Sequence, residues 1–283
     1  MLIANYITVL GRSKQMNKSR QITIERNAED VRDKCNITDY GVKDVFEASG
    51  KLGYRLIRYP IGAEAFLGFA LIKDSERIIF SNSSIILSRE IFSVAHEIGH
   101  QRLHLNEQGR TLIKDDDFLD RDELEVEANY FAACLLMPIE KVEKFVRLEL
   151  KDKDITAWDG LDIARIQTAF NVSYDMALVR LRALNILNDA IIEKLKIDKI
   201  EQTASKLLNV IGGNTELCRA AEAKKVPAEF LEWVITNYNE KLIPKTSLVT
   251  ALNYVDLSPE DVNINDKDEK EEESFDDLLV GMD

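Results

Sequence analysis

The stretch FSVAHEIGHQRLH, Phe92 to His104, contains every histidine of a 283-residue chain. His96, His100 and His104 recur at four-residue intervals, and Glu97 follows the first of them. An α-helix repeats every 3.6 residues, so side chains four apart lie one turn above another on one face. On such a helix His96 and His100 can reach one metal ion. Glu97 is offset, so its carboxylate addresses a water on that ion without occupying a coordination position. Zinc held by three protein ligands keeps a fourth position for water, whose pKa falls to roughly 7. Glu97 is then the expected general base, taking the water's proton and passing it to the leaving amine of a cleaved peptide. Gly99 adds a constraint on the fold. Glycine inside a helix costs about 1 kcal/mol relative to alanine, so something must approach the helix backbone closely at that point.

A third ligand has to come from elsewhere. His104 lies eight residues past His96, about 12 Å along a continuous helix, and the intervening Gln-Arg-Leu offers no glycine to bend it. It is expected to support a ligand rather than bind the ion. A second amphipathic helix, from about Arg121 to Met137, carries ELEVEANYFAACLLMP with Leu124, Ala128, Phe131 and Leu135 on one face. Glu125 and Asn129 are four apart beside that face. Glu125 is the candidate ligand, and Asn129 is placed to steady another ligand by hydrogen bonding. Glu123 and Glu127 are rivals, expected to be solvated carboxylates.

Composition narrows the setting. A net charge of −13 has the wrong sign for non-specific binding to nucleic acid or anionic membrane. No run approaches the roughly 18–20 apolar residues of a membrane span. Cys35, Cys134 and Cys218 form no CxxC pair, so a reducing cytoplasm is the simplest location. The apolar start MLIANYITVL lacks a basic n-region and reads as a folded segment.

Elsewhere the pattern predicts helix over 21–53, a strand at 54–60 ended by Pro60, and a hairpin at 66–82 around a turn at Lys73–Glu76. Ser88 is the expected N-cap of the histidine helix, with Gly109 beyond its end. Within the hairpin, RIIFS (77–81) is the expected edge for an extended substrate. Pro138 closes the second helix and can open the next. Residues 161–187 read as helix, turn at Asn171–Val172, N-cap Ser173 and helix.

REIFSVAHEIGHQRLH followed by ELEVEANYFAACLLMP resembles the ImmA/IrrE family of metallopeptidases, which pairs an AHExGHxxLH helix with an ExxANxFAAxLLMP helix. RIIFSN before them and ARIQTAFNVSYDMALVRLRAL after them are also similar to the family's pattern, so the resemblance spans roughly residues 25–187. It implies His96, His100 and Glu125 as metal ligands, Glu97 as general base, and Asn129 at the family's Asn. The implied fold is α+β: a gluzincin-like zinc peptidase with a small twisted sheet beside the active-site helix. That domain is expected over 1–187, including the helix-turn-helix-like segment 161–187. An all-helical accessory domain at 188–257 and an acidic, disordered tail at 258–283 are expected to follow. The resemblance implies a Zn2+ endopeptidase, with Mn2+ as the other metal, that cleaves a regulatory protein such as a repressor with a helix-turn-helix domain.

The same residues admit plainer roles. Arg165, Arg180 and Arg182 are a thin basic supply for the 161–187 segment, which is expected to pack on the peptidase and not to bind DNA directly. Cys134 reads as a buried small hydrophobe. Tyr130 and Tyr174 are candidate oxyanion donors that nothing in the sequence separates from structural tyrosines. The alternative function is a regulatory or antitoxin-like protein that binds its partner without cutting it and keeps the metal as structure. Glu97 argues for the enzyme, because a structural site does not need it.

Overall fold

A computed structural model describes residues 16–73, 75–105, 118–227 and 229–264. The segment expected at 1–10 and the acidic tail from 265 onward lie outside the described residues, as does Gly109. The chain divides into two units, Met1–Lys225 and Val226–Asp283.

The first unit mixes helices with one three-stranded sheet. Helix α1 (Lys18–Lys34) starts at Asn17, whose side chain accepts from Ser19 N, and buries Ile24, Ala28 and Val31. The helical stretch expected at 21–53 is interrupted: a turn follows α1, and a short α2 (Val45–Lys51) is capped by Asp44. Three strands follow, β1 (Arg55–Tyr59), β2 (Gly68–Lys73) and β3 (Glu76–Asn82). β2 and β3 form the expected hairpin, and Ser75 takes a left-handed φ of 66° in its turn.

Strand order is β1-β3-β2, with β1 parallel to β3. This corrects the expectation for RIIFS. β3 is central and both its edges are spent on ladder bonds, so it cannot receive another chain. β1 is met by a later segment: Arg58 and Lys225 exchange two backbone hydrogen bonds of 2.8 Å. β2 pairs only with β3 among the described residues.

Leu56, Ala70 and Ile79 are buried in the core that the sheet shares with the histidine helix α3 (Leu87–Leu103). Two polar rivets set that helix on the sheet. At its start Glu90, fully buried, receives a bidentate pair from Arg58 at 2.8 and 2.7 Å and a bond from Ser81 Oγ. At its end Gln101 Nε2 donates to Leu71 O and Ile78 O, and Arg77 donates back to Gln101. A charge without a partner there would be costly to bury, so the helix has one seat. Ser88 is not its N-cap. The cap is Ile86, without a side-chain bond, and the freed Leu87 N–H instead donates to Arg219 O at 2.6 Å.

Helix α4 (Phe118–Leu136) packs along α3 and α1. Its C-terminal carbonyl groups are satisfied by two buried arginines, Arg32 to Leu135 O and Arg180 to Met137 O just beyond, which also oppose the helix dipole. Pro138 then opens α5 (Ile139–Leu148) as expected. Helices α6 (Gly160–Phe170) and α7 (Tyr174–Ala183) are joined by left-handed Asn171, with Ser173 capping α7 through Met176 N.

Helices α8 (Asp189–Glu201) and α9 (Ala204–Val210) belong with this first unit rather than with an accessory domain beginning at 188. Leu195, Leu207, Leu208 and Leu217 are all buried in its core. The second unit is smaller: α10 (Glu229–Asn239) and α11 (Lys245–Asn253) enclose Val234, Leu248 and Leu252.

Candidate metal centre

The close approach announced by Gly99 is the crossing of α3 and α4. A Cβ at Gly99 would lie 3.0 Å from the Phe131 ring and 3.3 Å from both Cα and O of Ala128. Ala128 stands between Glu125 and Asn129, so this contact brings those side chains beside the histidines.

His96 Nε2 lies 3.2 Å from Glu125 Oε2, and His100 Nε2 lies 3.4 Å from Glu125 Oε1. The two Nε2 atoms are 2.9 Å apart. The three ligand atoms all fall within 4.8 Å of one another, and these residues are the metal-capable His/Cys/Asp/Glu group found among the described residues. Two imidazoles and one carboxylate match the donor set of catalytic zinc sites.

The outer face of each imidazole provides a second test of fit. His96 Nδ1 is 2.9 Å from Asn129 Oδ1. An amide oxygen only accepts, so His96 carries its proton on Nδ1 and turns the Nε2 lone pair inward. His100 Nδ1 is 2.9 Å from His104 Nδ1, and His104 Nε2 is 2.9 Å from Glu127 Oε2. The ionised Glu127 only accepts, so a neutral His104 holds its proton on Nε2 and offers a lone pair at Nδ1. His100 must then donate from Nδ1, which leaves its Nε2 free for an ion. Both histidines are thus oriented for ligation, as ligand histidines are when their other nitrogen is engaged.

His104 sits at the C-cap of α3, where the helix ends, and contacts His100 instead of joining the three-residue cluster. Glu127 departs from expectation. It is no free solvated carboxylate but is fixed by His104 and by a bidentate pair from Arg20 on α1, at 2.6 and 2.5 Å. Its alternation with Glu123 and Glu125 in ELEVE hid that difference, and nothing in the sequence pointed to Arg20.

Electrostatics follow the same arrangement. Burial raises the Glu125 carboxyl, but the adjacent His100 and His96 imidazoles outweigh it and hold the group well below the ordinary range. Burial pushes His100 down to about 4, with the neighbouring His96 imidazole adding to the effect. For Glu127 burial is again opposed, and the Arg20 and His104 bonds bring it to about 2. Glu97 is buried without such partners, and desolvation pushes it up to about 7 against the pull of His96. Its Oε1 lies near the start of β2: a Cβ on Gly68 would sit 3.5 Å from it and 3.1 Å from Ser93 Oγ.

The tyrosines are committed elsewhere. Tyr130 OH donates to Glu25 at 2.5 Å, and Tyr174 OH donates to Leu195 O. Arg165 pairs with Asp162, Arg182 with Asp189, and Arg180 is buried against Met137 O and Cys134 Sγ. Cys134 is buried, as its flanking residues indicated. No helix among the described residues is long and apolar enough to cross a membrane.

The family model of the IrrE N-terminal-like domain, Peptidase M78, matches residues 40–182, just over half of the chain. The chain is also 27% identical, over 125 residues, to the uncharacterized immunity region protein 2 of Bacillus phage phi105. That match takes in 44% of this chain and 78% of the phage protein.

Proposed function

Because this chain belongs to the IrrE N-terminal-like domain family of peptidases, we propose that it is a zinc-dependent endopeptidase that cuts one regulatory protein as a switch. The observation that carries this reading is the convergence of His96, His100 and Glu125 from two helices, with the buried Glu97 alongside. These three side chains would hold the ion, which supplies Lewis-acid polarisation of water and of a peptide carbonyl. Glu97 takes a proton from the attacking water on its carboxylate and delivers it to the leaving nitrogen. Asn129 and His104 keep the two imidazoles turned inward. β2 holds the substrate. An extended chain added along its outer edge would pass Gly68, whose missing side chain lets β2 lie close against Phe80 O, Ser93 Oγ and Glu97 Oε1.

The substrate we propose is a repressor with a helix-turn-helix domain. The name of the phage relative, an immunity region protein, supports a target in immunity control. A peptidase that meets such a repressor works in the cytoplasm. The test is to incubate the zinc-loaded chain with repressor-like proteins encoded beside it, and to repeat this with Glu97→Gln. The parent is expected to cut one bond, and the variant to keep its zinc and cut nothing. Undiminished cleavage by Glu97→Gln refutes the assigned base. Release of the repressor from DNA by both forms, without cleavage, would favour the binding-protein alternative.

A further inference from the structure

The contacts of Arg20 reach further than an ordinary surface ion pair. Arg20 lies on α1, outside the residues matched by the family model. Its guanidinium grips both oxygens of Glu127, so the carboxylate is held in one plane and one rotamer. Glu127 Oε2 meets His104 Nε2, His104 Nδ1 meets His100 Nδ1, and His100 Nε2 faces Glu125. Side-chain exposure falls along this path from 37% at Arg20 to 16% at Glu127 and 2% at His104. A purely structural pair would have no reason to end on the back of a ligand imidazole.

We propose that Arg20 and Glu127 are positioning residues of the metal centre: acting through His104, they fix His100 as the tautomer whose Nε2 lone pair faces Glu125. The inference rests on the reading that this centre holds an ion, and it deepens that reading by assigning a support from outside the family domain. Each link has one direction. A carboxylate can only accept, so His104 must donate from Nε2; a neutral imidazole then accepts at Nδ1, so His100 must donate there. Without Glu127 the direction is lost, because His104 is free to present its proton at Nδ1 and to oppose the proton of His100. Without Arg20 the carboxylate remains, but its plane is no longer held by a bidentate fork, which a lysine's point charge reproduces only in part.

The experiment uses the full chain and two readouts. The first is the zinc dissociation constant, by chelator competition, for the parent, Glu127→Gln, Arg20→Met, Arg20→Lys and the Arg20→Met/Glu127→Gln double variant. Removing a partner of a ligand histidine typically weakens binding about 10-fold or more, and that is expected for Glu127→Gln. Arg20→Met should lose less, Arg20→Lys should recover part of that loss, and the double variant should be no weaker than Glu127→Gln because the residues act in series. The second readout is the imidazole nitrogen NMR spectrum, in which three histidines give a fully assignable set. It is expected to show His104 protonated at Nε2 and His100 at Nδ1 in the parent, with or without zinc, and a mixed His104 tautomer in Glu127→Gln. Affinities and His104 signals indistinguishable from the parent in both Glu127→Gln and Arg20→Met overturn the proposal. A parent that binds no zinc sinks the metal-centre reading instead, and the nitrogen spectrum still decides the relay.

Discussion

Replacing Gly99 by alanine sets two opposing effects against each other, and the structure decides the sign. Alanine is favoured over glycine in a helix interior by about 1 kcal/mol, so an open site would be stabilised. Here the added methyl lies 3.0 Å from a Phe131 ring carbon and 3.3 Å from Cα and O of Ala128. Ordinary carbon contacts begin near 3.5 Å, so α3 and α4 have to separate by roughly 0.3–0.5 Å. The ring can tilt, but the Ala128 backbone cannot. Overpacking of this kind costs about 1–3 kcal/mol, leaving a net loss on the order of 1 kcal/mol. For a unit of this size that lowers Tm by about 2–4 °C. The same displacement moves Glu125 and Asn129 away from His96 and His100, so zinc affinity should fall as well. Calorimetry of the metal-free chain, with zinc competition on the same preparation, reads both. A rise in Tm of about 2–4 °C with unchanged zinc affinity would refute the reasoning, because it would mean that helix propensity won and that the crossing has slack.

Glu125→Ala removes one of the three proposed ligands and should abolish stoichiometric zinc, whereas His104→Ala should leave zinc bound at about 10-fold lower affinity; elemental analysis giving the reverse order sinks the two-helix centre. A chain ending at Leu187 should fail to fold, since it loses the buried Leu195, Leu207, Leu208 and Leu217, worth roughly 6–12 kcal/mol together against a typical total of about 5–15. A chain ending at Lys225 should fold and bind zinc; circular dichroism showing equal helicity and cooperative melting for both would contradict this. The third concerns acid. Glu127 sits at about 2 in the folded chain against an ordinary 4.5, so its contribution is fully present above pH 4.5 and is lost as pH falls towards 2. After allowance for the exposed Arg20 that contribution is on the order of 1–2 kcal/mol. Arg20→Met should therefore flatten the pH dependence of metal-free stability across this window; denaturation curves with the same slope in both proteins would count against the assigned pair.

What the sequence determined by itself was local. Four-residue spacing on a 3.6-residue period puts His96 and His100 on one face whatever surrounds them. Two apolar runs around a polar turn marked the β2–β3 hairpin, and Asn171 with Ser173 marked the α6–α7 turn, because each depends on a few neighbouring dihedral angles. The family pattern extended this to Glu125 and Asn129, which the structure brings to the histidines. The tertiary structure alone decided the rest. Glu123, Glu125 and Glu127 read alike along ELEVE, and only the seating of α4 at Gly99 turns Glu125 to the centre and Glu127 to His104. The parallel pairing of β1 made β3 central and left β2 as the edge, a choice between non-neighbouring strands that alternation does not encode. Leu87 N–H found its partner at Arg219 instead of at a capping side chain, and Arg20 reached Glu127 across 107 residues. Such pairings are set by which apolar faces pack together. Packing acts between segments distant in the chain, where periodicity carries no information about the partner.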